Sequence, residues 1–131
     1  MKKILILSGI ILLFGACQES LEDRAARELS DYTKKNCPTP VINDQQMDSV
    51  VYEPATHTIH SYYKLLNKVD NEKVIKANLK QIRAAQLKDL KKNTWNKAYK
   101  DAGFVFRYTY RSGSDPQKVL VDETFTQKDY K

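Results

Sequence analysis

Gly103-Phe104-Val105-Phe106-Arg107-Tyr108-Thr109-Tyr110 decides the fold. Its strict alternation puts Phe104, Phe106, Tyr108 and Tyr110 on one side and Val105, Arg107, Thr109 and Arg111 on the other. That period of two is the signature of a strand with one apolar face. Gly103 fits the left-handed stop of a preceding helix. Ser112-Gly113-Ser114-Asp115-Pro116 has the composition of a loop. A closing strand from Gln117 to Thr126 then sets Val119, Val121 and Phe125 against Lys118, Leu120, Asp122 and Thr124, so the C-terminal third reads as a hairpin.

Upstream the period changes to that of a helix. Asp70 or Asn71 caps a helix predicted over Glu72–Lys92, with Ile75, Leu79, Ile82 and Leu90 on one face. Asn93-Thr94 interrupts it, and Trp95 to Tyr99 adds a last turn. Before this helix lies a second predicted hairpin. Met47, Ser49 and Val51 alternate with Asp48, Val50 and Tyr52; Glu53 to Thr56 turns the chain; Ile59, Tyr63 and Leu65 then alternate with His60, Tyr62 and Lys64. The first helix starts at Ser20 and carries Leu21, Ala25, Leu29 and Tyr32 as an apolar stripe. Two prolines in Asn36-Cys37-Pro38-Thr39-Pro40 end it.

The order α-β-β-α-β-β predicts an α+β fold, with two helices packed on one face of a four-stranded antiparallel sheet. A central helix running straight back would leave the second and third strands pointing the same way. A fully antiparallel sheet then needs the hairpins to join through strands one and three or two and four, and the sequence does not choose between them.

The N-terminus carries an address. Lys2 and Lys3 precede an apolar run from Ile4 to Phe14, roughly half the span a membrane-crossing helix needs. Small residues follow, ending in Cys17, as in a secretory signal. Leu13-Phe14-Gly15-Ala16-Cys17 resembles the cleavage site of a bacterial lipoprotein. That resemblance implies a signal peptide over 1–16, a lipid on Cys17, and one tethered domain over 17–131. Gln18 after the cysteine favours the outer membrane of the cell envelope. Without Lys2 and Lys3, 20 basic against 16 acidic residues leave a charge of +4, a modest excess that makes nucleic acid a poor partner. With Cys17 lipidated, Cys37 has no partner within the chain and reads as a small buried thiol or an intermolecular one.

The helix ending in Asn36-Cys37-Pro38 and the strand from Gly103 to Tyr110 resemble small uncharacterised bacterial envelope lipoproteins. In those families the cysteine after the first helix often pairs with one in or after the second. This chain has no cysteine from Asn71 to Gly103, so the resemblance implies an architecture and no functional residue.

Candidate chemistry is sparse. His57 and His60, three apart on a strand, face opposite sides and cannot pinch one metal ion, so neither a metal nor a cofactor is expected. There is no nucleophile elbow and no phosphate-cradling glycine loop. Two stripes have functional pull. Lys73, Lys76, Lys80 and Arg83 gather on one side of the long helix, with Lys91, and could meet an anionic ligand. Phe104, Phe106, Tyr108 and Tyr110, with Tyr63, could form an aromatic contact face, or simply the sheet face beneath the helices. The expectation is a non-enzymatic, membrane-tethered module that binds another envelope protein. Alternatives are a glycan- or lipopolysaccharide-binding module using the basic helix face, and a small thiol enzyme using Cys37.

Overall fold

The computed structural model describes residues 18–131. The signal segment and Cys17 lie outside the described residues. Helix α1 (Leu21–Asn36) starts on Ser20, whose hydroxyl accepts from the Asp23 N–H at 3.0 Å. Glu22 and Asp23 in its first turn and Lys34 and Lys35 in its last complement the helix dipole. Ala25 and Leu29 are its buried residues.

The first hairpin is β1 (Gln45–Glu53) and β2 (Thr58–Leu65), joined by a short 3₁₀ turn over Pro54–Thr56. His57 closes that turn with φ 54°, so it lies outside the strand that the sequence placed it in. One prediction about faces fails in β1. Met47 pairs with Tyr63 and Ser49 with Tyr62, so Asp48 is an extra residue in a bulge. The bulge brings Met47 onto the same face as Val50 and Tyr52, where simple alternation had put it with Ser49 and Val51.

The long predicted helix is two. α2 (Glu72–Ala77) and α3 (Leu79–Lys92) meet at Asn78, which sits at φ −118° and ψ 12°. Its side-chain amide donates to the Val74 carbonyl at 2.8 Å, a local bond that competes with helical pairing. α4 (Lys97–Asp101) follows, and Gly103 takes φ 80° to release the chain. β3 (Val105–Ser112) and β4 (Val119–Phe125) make the second hairpin. A short α5 (Gln127–Tyr130), absent from the sequence expectation, is held by a reciprocal cap between Thr126 and Asp129. β4 also has a bulge, at Leu120. Val121 opposes Tyr110 and Val119 opposes Arg111, so Leu120 turns into the core and Val119 out of it, the reverse of their predicted places.

The strands lie in the order β1-β2-β3-β4. Both hairpins are antiparallel, but β2 and β3 pair parallel from Thr58↔Val105 to Leu65↔Ser112. The α+β class holds and the antiparallel sheet does not. The helices between β2 and β3 carry the chain back along the sheet, so β3 enters at the same end as β2 and joins it directly. Side chains from all five helices among the described residues reach one face of the sheet, where Ala25, Leu29, Leu90, Tyr99 and Tyr130 pack with Val50, Ile59, Phe106 and Phe125. A second cluster joins Ile75 to Leu65, Leu120 and Val121. The outer edge of β1 is closed by two threonines. Thr33 bridges the backbone of Val50, and Thr39 exchanges hydrogen bonds with that of Met47.

The central parallel pair continues into Gly113, whose N–H donates to the Leu65 carbonyl at 2.8 Å. A Cβ there would stand 2.7 Å from that oxygen and 2.6 Å from Leu66 Cδ2. Gly113→Ala is therefore expected to cost about 1–3 kcal/mol. Thermal unfolding followed by circular dichroism should show a midpoint lower by roughly 4 °C or more; an unchanged midpoint would refute the close approach.

Candidate functional site

Between α1 and the connection from α3 to α4, part of the sheet face is left uncovered. The Asn93 side chain accepts from the Trp95 N–H at 2.9 Å and turns the chain sharply after α3. The Lys100 ammonium donates to the carbonyls of Leu90, Lys91 and Asn93 and holds that turn against the helix end. The result is a groove of about 290 Å³. Met47, Val50, Ile59, Ser61, Tyr63, Phe106 and Tyr108 form its floor; Leu29 and Tyr32 line one wall, and Asn93, Trp95 and Asn96 the other. The rim aromatics face solvent, Tyr32 at 40% and Trp95 at 55% exposure. Asn96 is 5% exposed, and its Oδ1 has no hydrogen-bond partner among the described residues. A buried acceptor left unmet costs about 1–3 kcal/mol. The groove is thus mostly apolar, with Ser61, Asn93 and Asn96 among its few polar residues, the composition of a site that takes a mostly apolar segment. Burial pushes the Tyr63 and Tyr108 phenols up from their ordinary values, so both keep their protons.

The opposite face of the sheet carries a polar chain with one member or more from every strand. His60 Nδ1 lies 2.7 Å from Glu53 Oε1, and its Nε2 lies 2.7 Å from Thr109 Oγ1. Thr109 reaches Asp122 at 3.3 Å, and Arg107 grips Asp122 with two bonds of 2.8 and 2.6 Å. Tyr62 stacks on His60 with centroids 4.0 Å apart. Carboxylate, imidazole and hydroxyl in sequence are the parts of a nucleophilic relay. Here the hydroxyl is closed in: Thr109 is 4% exposed and lies mid-strand, with β2 and β4 on either side. The arrangement is a clamp across the four strands.

The structure distributes the predicted site residues widely. Phe104 and Phe106 are sealed in the core at 0% and 2% exposure. Tyr110 stacks on Tyr63 at 4.6 Å, and of that aromatic stripe Phe106, Tyr108 and Tyr63 line the groove. The break at Asn78 puts Lys73 and Lys76 on α2 and Lys80 and Arg83 on α3. Lys76 pairs with Glu72, while Arg83 is held by Glu123 and Asp129 and lies 4.4 Å over the Phe125 ring. Cys37 is half-buried, and burial raises its thiol above the ordinary value, which disfavours the thiolate. Among the described residues no three His, Cys, Asp or Glu side chains gather as a metal site. No described helix is long and apolar enough to cross a membrane. Trp95, Tyr32 and Asn96 were not singled out by sequence. The available signal was the lone tryptophan directly after the Asn93-Thr94 break.

Residues 20–121 match one protein-family description, "Domain of unknown function (DUF8479)". The chain belongs to the DUF8479 family. Its fold is shared with solved structures. A protein of Pseudomonas aeruginosa described as secreted superposes with a TM-score of 0.66 at 14% identity, over 87% of this chain and 100% of that one. The pilotin EpsS of the Vibrio vulnificus type 2 secretion system gives 0.63 at 11%, over 84% and 91%. The type II secretion system pilotin AspS of Vibrio cholerae gives 0.51 at 14%, over 82% and 90%. At these identities the likeness is one of fold. No curated protein matches this DUF8479 sequence.

The clamp sets a pH dependence. Hydrogen bonds from Arg107 hold the Asp122 carboxyl below its ordinary 3.8, with a further bond from Thr109. A depressed carboxyl stabilises the fold above the unfolded value, and that contribution is lost as pH falls through the folded one. The pair is partly exposed and screened, so Asp122→Asn is expected to cost roughly 0.5–1 kcal/mol at pH 7. Urea unfolding of both proteins should show this gap closing as pH drops below the ordinary carboxyl value of 3.8. A gap that stays constant down to acid pH would show that Asp122 acts through something other than its charge.

Proposed function

We propose that this DUF8479 chain is a non-enzymatic, lipid-anchored accessory module of the bacterial envelope. Cys17 carries the lipid, and the groove between α1 and the α3–α4 connection grips an apolar segment of a partner envelope protein. The groove carries this reading: exposed Tyr32 and Trp95 stand over a mostly apolar floor. Aromatic anchors of that kind dominate protein interfaces. Two structural neighbours are pilotins of type II secretion systems, which supports an accessory role beside envelope machinery. The raised Cys37 thiol works against the thiol-enzyme reading, and the enclosed Thr109 against use of the polar chain as a nucleophilic relay. Tethering confines the module to a thin layer, so a modest groove affinity suffices. The basic-helix glycan reading has less support, because Lys76 and Arg83 are engaged by carboxylates.

The anchor is tested by intact mass. Chain isolated from membranes should begin at Cys17 with a lipid-sized increment that Cys17→Ala abolishes; an unmodified soluble chain would refute it. The groove is tested with a photo-crosslinking amino acid at Trp95 in living cells. We expect a discrete envelope-protein adduct that is absent with the probe at Lys73 and lost, with the probe at Met47, when Tyr32 and Trp95 are both changed to alanine. Those exposed truncations should each shift stability by no more than about 0.5 kcal/mol. Equal adducts from Lys73 and Trp95 would contradict the groove.

A further inference from the structure

A second surface lies at one end of the molecule. Lys91, Lys92, Lys97, Lys100 and Lys131 surround a shallow hollow of about 350 Å³ in which Asp101 is the one acidic side chain. Exposed Lys128 stands on α5 at the same end. Lys100 is engaged by the end of α3 and Lys97 by Asp101. Among the described residues Lys91, Lys92, Lys128 and Lys131 have no carboxylate at ion-pair distance. Lysines at a helix C-terminus are ordinary complements to its dipole, which accounts for Lys91, Lys92 and Lys100. It does not account for Lys97 at the start of α4 or Lys131 just past α5. Their summed field is felt locally. The Asp101 carboxyl is held below its ordinary value first by the bond from Lys97, then by the charges of Lys97, Lys131 and Lys100.

What gives the patch meaning is its position. Contacts link the start of α1 to this end. His57 Nε2 lies 3.2 Å from Glu22 Oε1, and its ring lies 3.8 Å from Phe104. The Phe104 N–H donates to Tyr99 of α4, and the Phe104 carbonyl accepts from the Tyr130 hydroxyl at 2.6 Å. Tyr130 itself lines the lysine hollow. The chain therefore enters the domain at Ser20, three residues after Cys17, on the same end that presents the lysines. Of the carboxylates nearest that entry, Glu19 is held by Arg27 and Glu22 by His57, while Asp23 is exposed.

We propose that the lysine end is a membrane-facing surface, docking on anionic lipid headgroups of the leaflet that holds the Cys17 anchor. This rests on the anchor reading above. The lipid supplies residence, and the lysines supply orientation, a pairing of acyl chain and basic patch that suits peripheral proteins. Each lysine brought to such a surface is worth about fivefold in partitioning. Asn93 lines both the hollow and the groove, so an oriented domain would hold the groove mouth close to the bilayer.

The test uses membrane-extracted full chain, its lipid checked by intact mass, reconstituted into vesicles of phosphatidylcholine alone or with one-third phosphatidylglycerol. Lysine acetylation is read residue by residue, with Lys73 and Lys80 near the far end of α3 as internal references. Labelling of Lys91, Lys92, Lys97 and Lys131 should slow at least about fivefold in the anionic vesicles only and recover in 0.5 M salt, and labelling of Lys97 and Lys131 should also recover in Lys91→Glu/Lys92→Glu. Equal labelling in both vesicles, or protection that survives salt, would overturn the proposal. If mass shows no lipid, the anchor reading fails separately, and the unlipidated chain is added to the same vesicles. Salt-sensitive sedimentation with the anionic ones then supports the surface, and none refutes it.

Discussion

The parallel pairing of β2 with β3 is the constraint on which the rest of the molecule depends. It places two hairpins side by side and leaves β1 and β4 at the edges. A parallel neighbour requires a crossover, and that crossover supplies α2, α3 and α4. Because the crossover lies on the same face as α1, that face is roofed by two helical walls with a gap between them. The groove is that gap. Its floor comes from β1, β2 and β3, so its shape depends on all three strands keeping register.

The two faces of the sheet divide the labour. On the helical side, burial of Phe104, Phe106, Phe125, Tyr99 and Leu29 supplies the main drive to fold. On the other, hydrogen bonds from Glu53 through His60 and Thr109 to Asp122 and Arg107 tie the four strands on a face that no described helix covers. Such a chain specifies register, since a one-residue slip would strand every polar member against the wrong neighbour. On the helical side, the bond from the Trp95 N–H to the Asn93 side chain holds Trp95 out in solvent above a buried Asn96.

Much of the fold was legible because strand and helix periods are strong where one face is buried. The faces of β2 and β3, the start of α1 at Ser20 and the stop at Gly103 were all readable. The bulges at Asp48 and Leu120 were not, because one inserted residue leaves no mark in an alternating pattern. The break at Asn78 was hidden for a related reason: the residues on both sides keep helical spacing, and only the asparagine's bond to Val74 reveals the interruption. The groove was least legible. It joins Tyr32, Tyr63 and Trp95 from distant elements; in sequence Tyr63 stood with the aromatic contact face, but Tyr32 passed for part of a core stripe and Trp95 for a helix end. The lysine end was hidden likewise, since α3, α4 and α5 each contribute only part of it.

The central claim is that the groove is occupied in the cell. Hydrogen exchange of the chain in its native membranes, compared with the same chain purified in detergent, tests it most directly. Occupancy predicts slower exchange in membranes at Asn93–Asn96, at the Tyr32 end of α1 and along the groove side of β1, with β4 unchanged. Equal exchange in the two states, or protection confined to the α2–α3 stretch carrying Lys73 to Arg83, would contradict it.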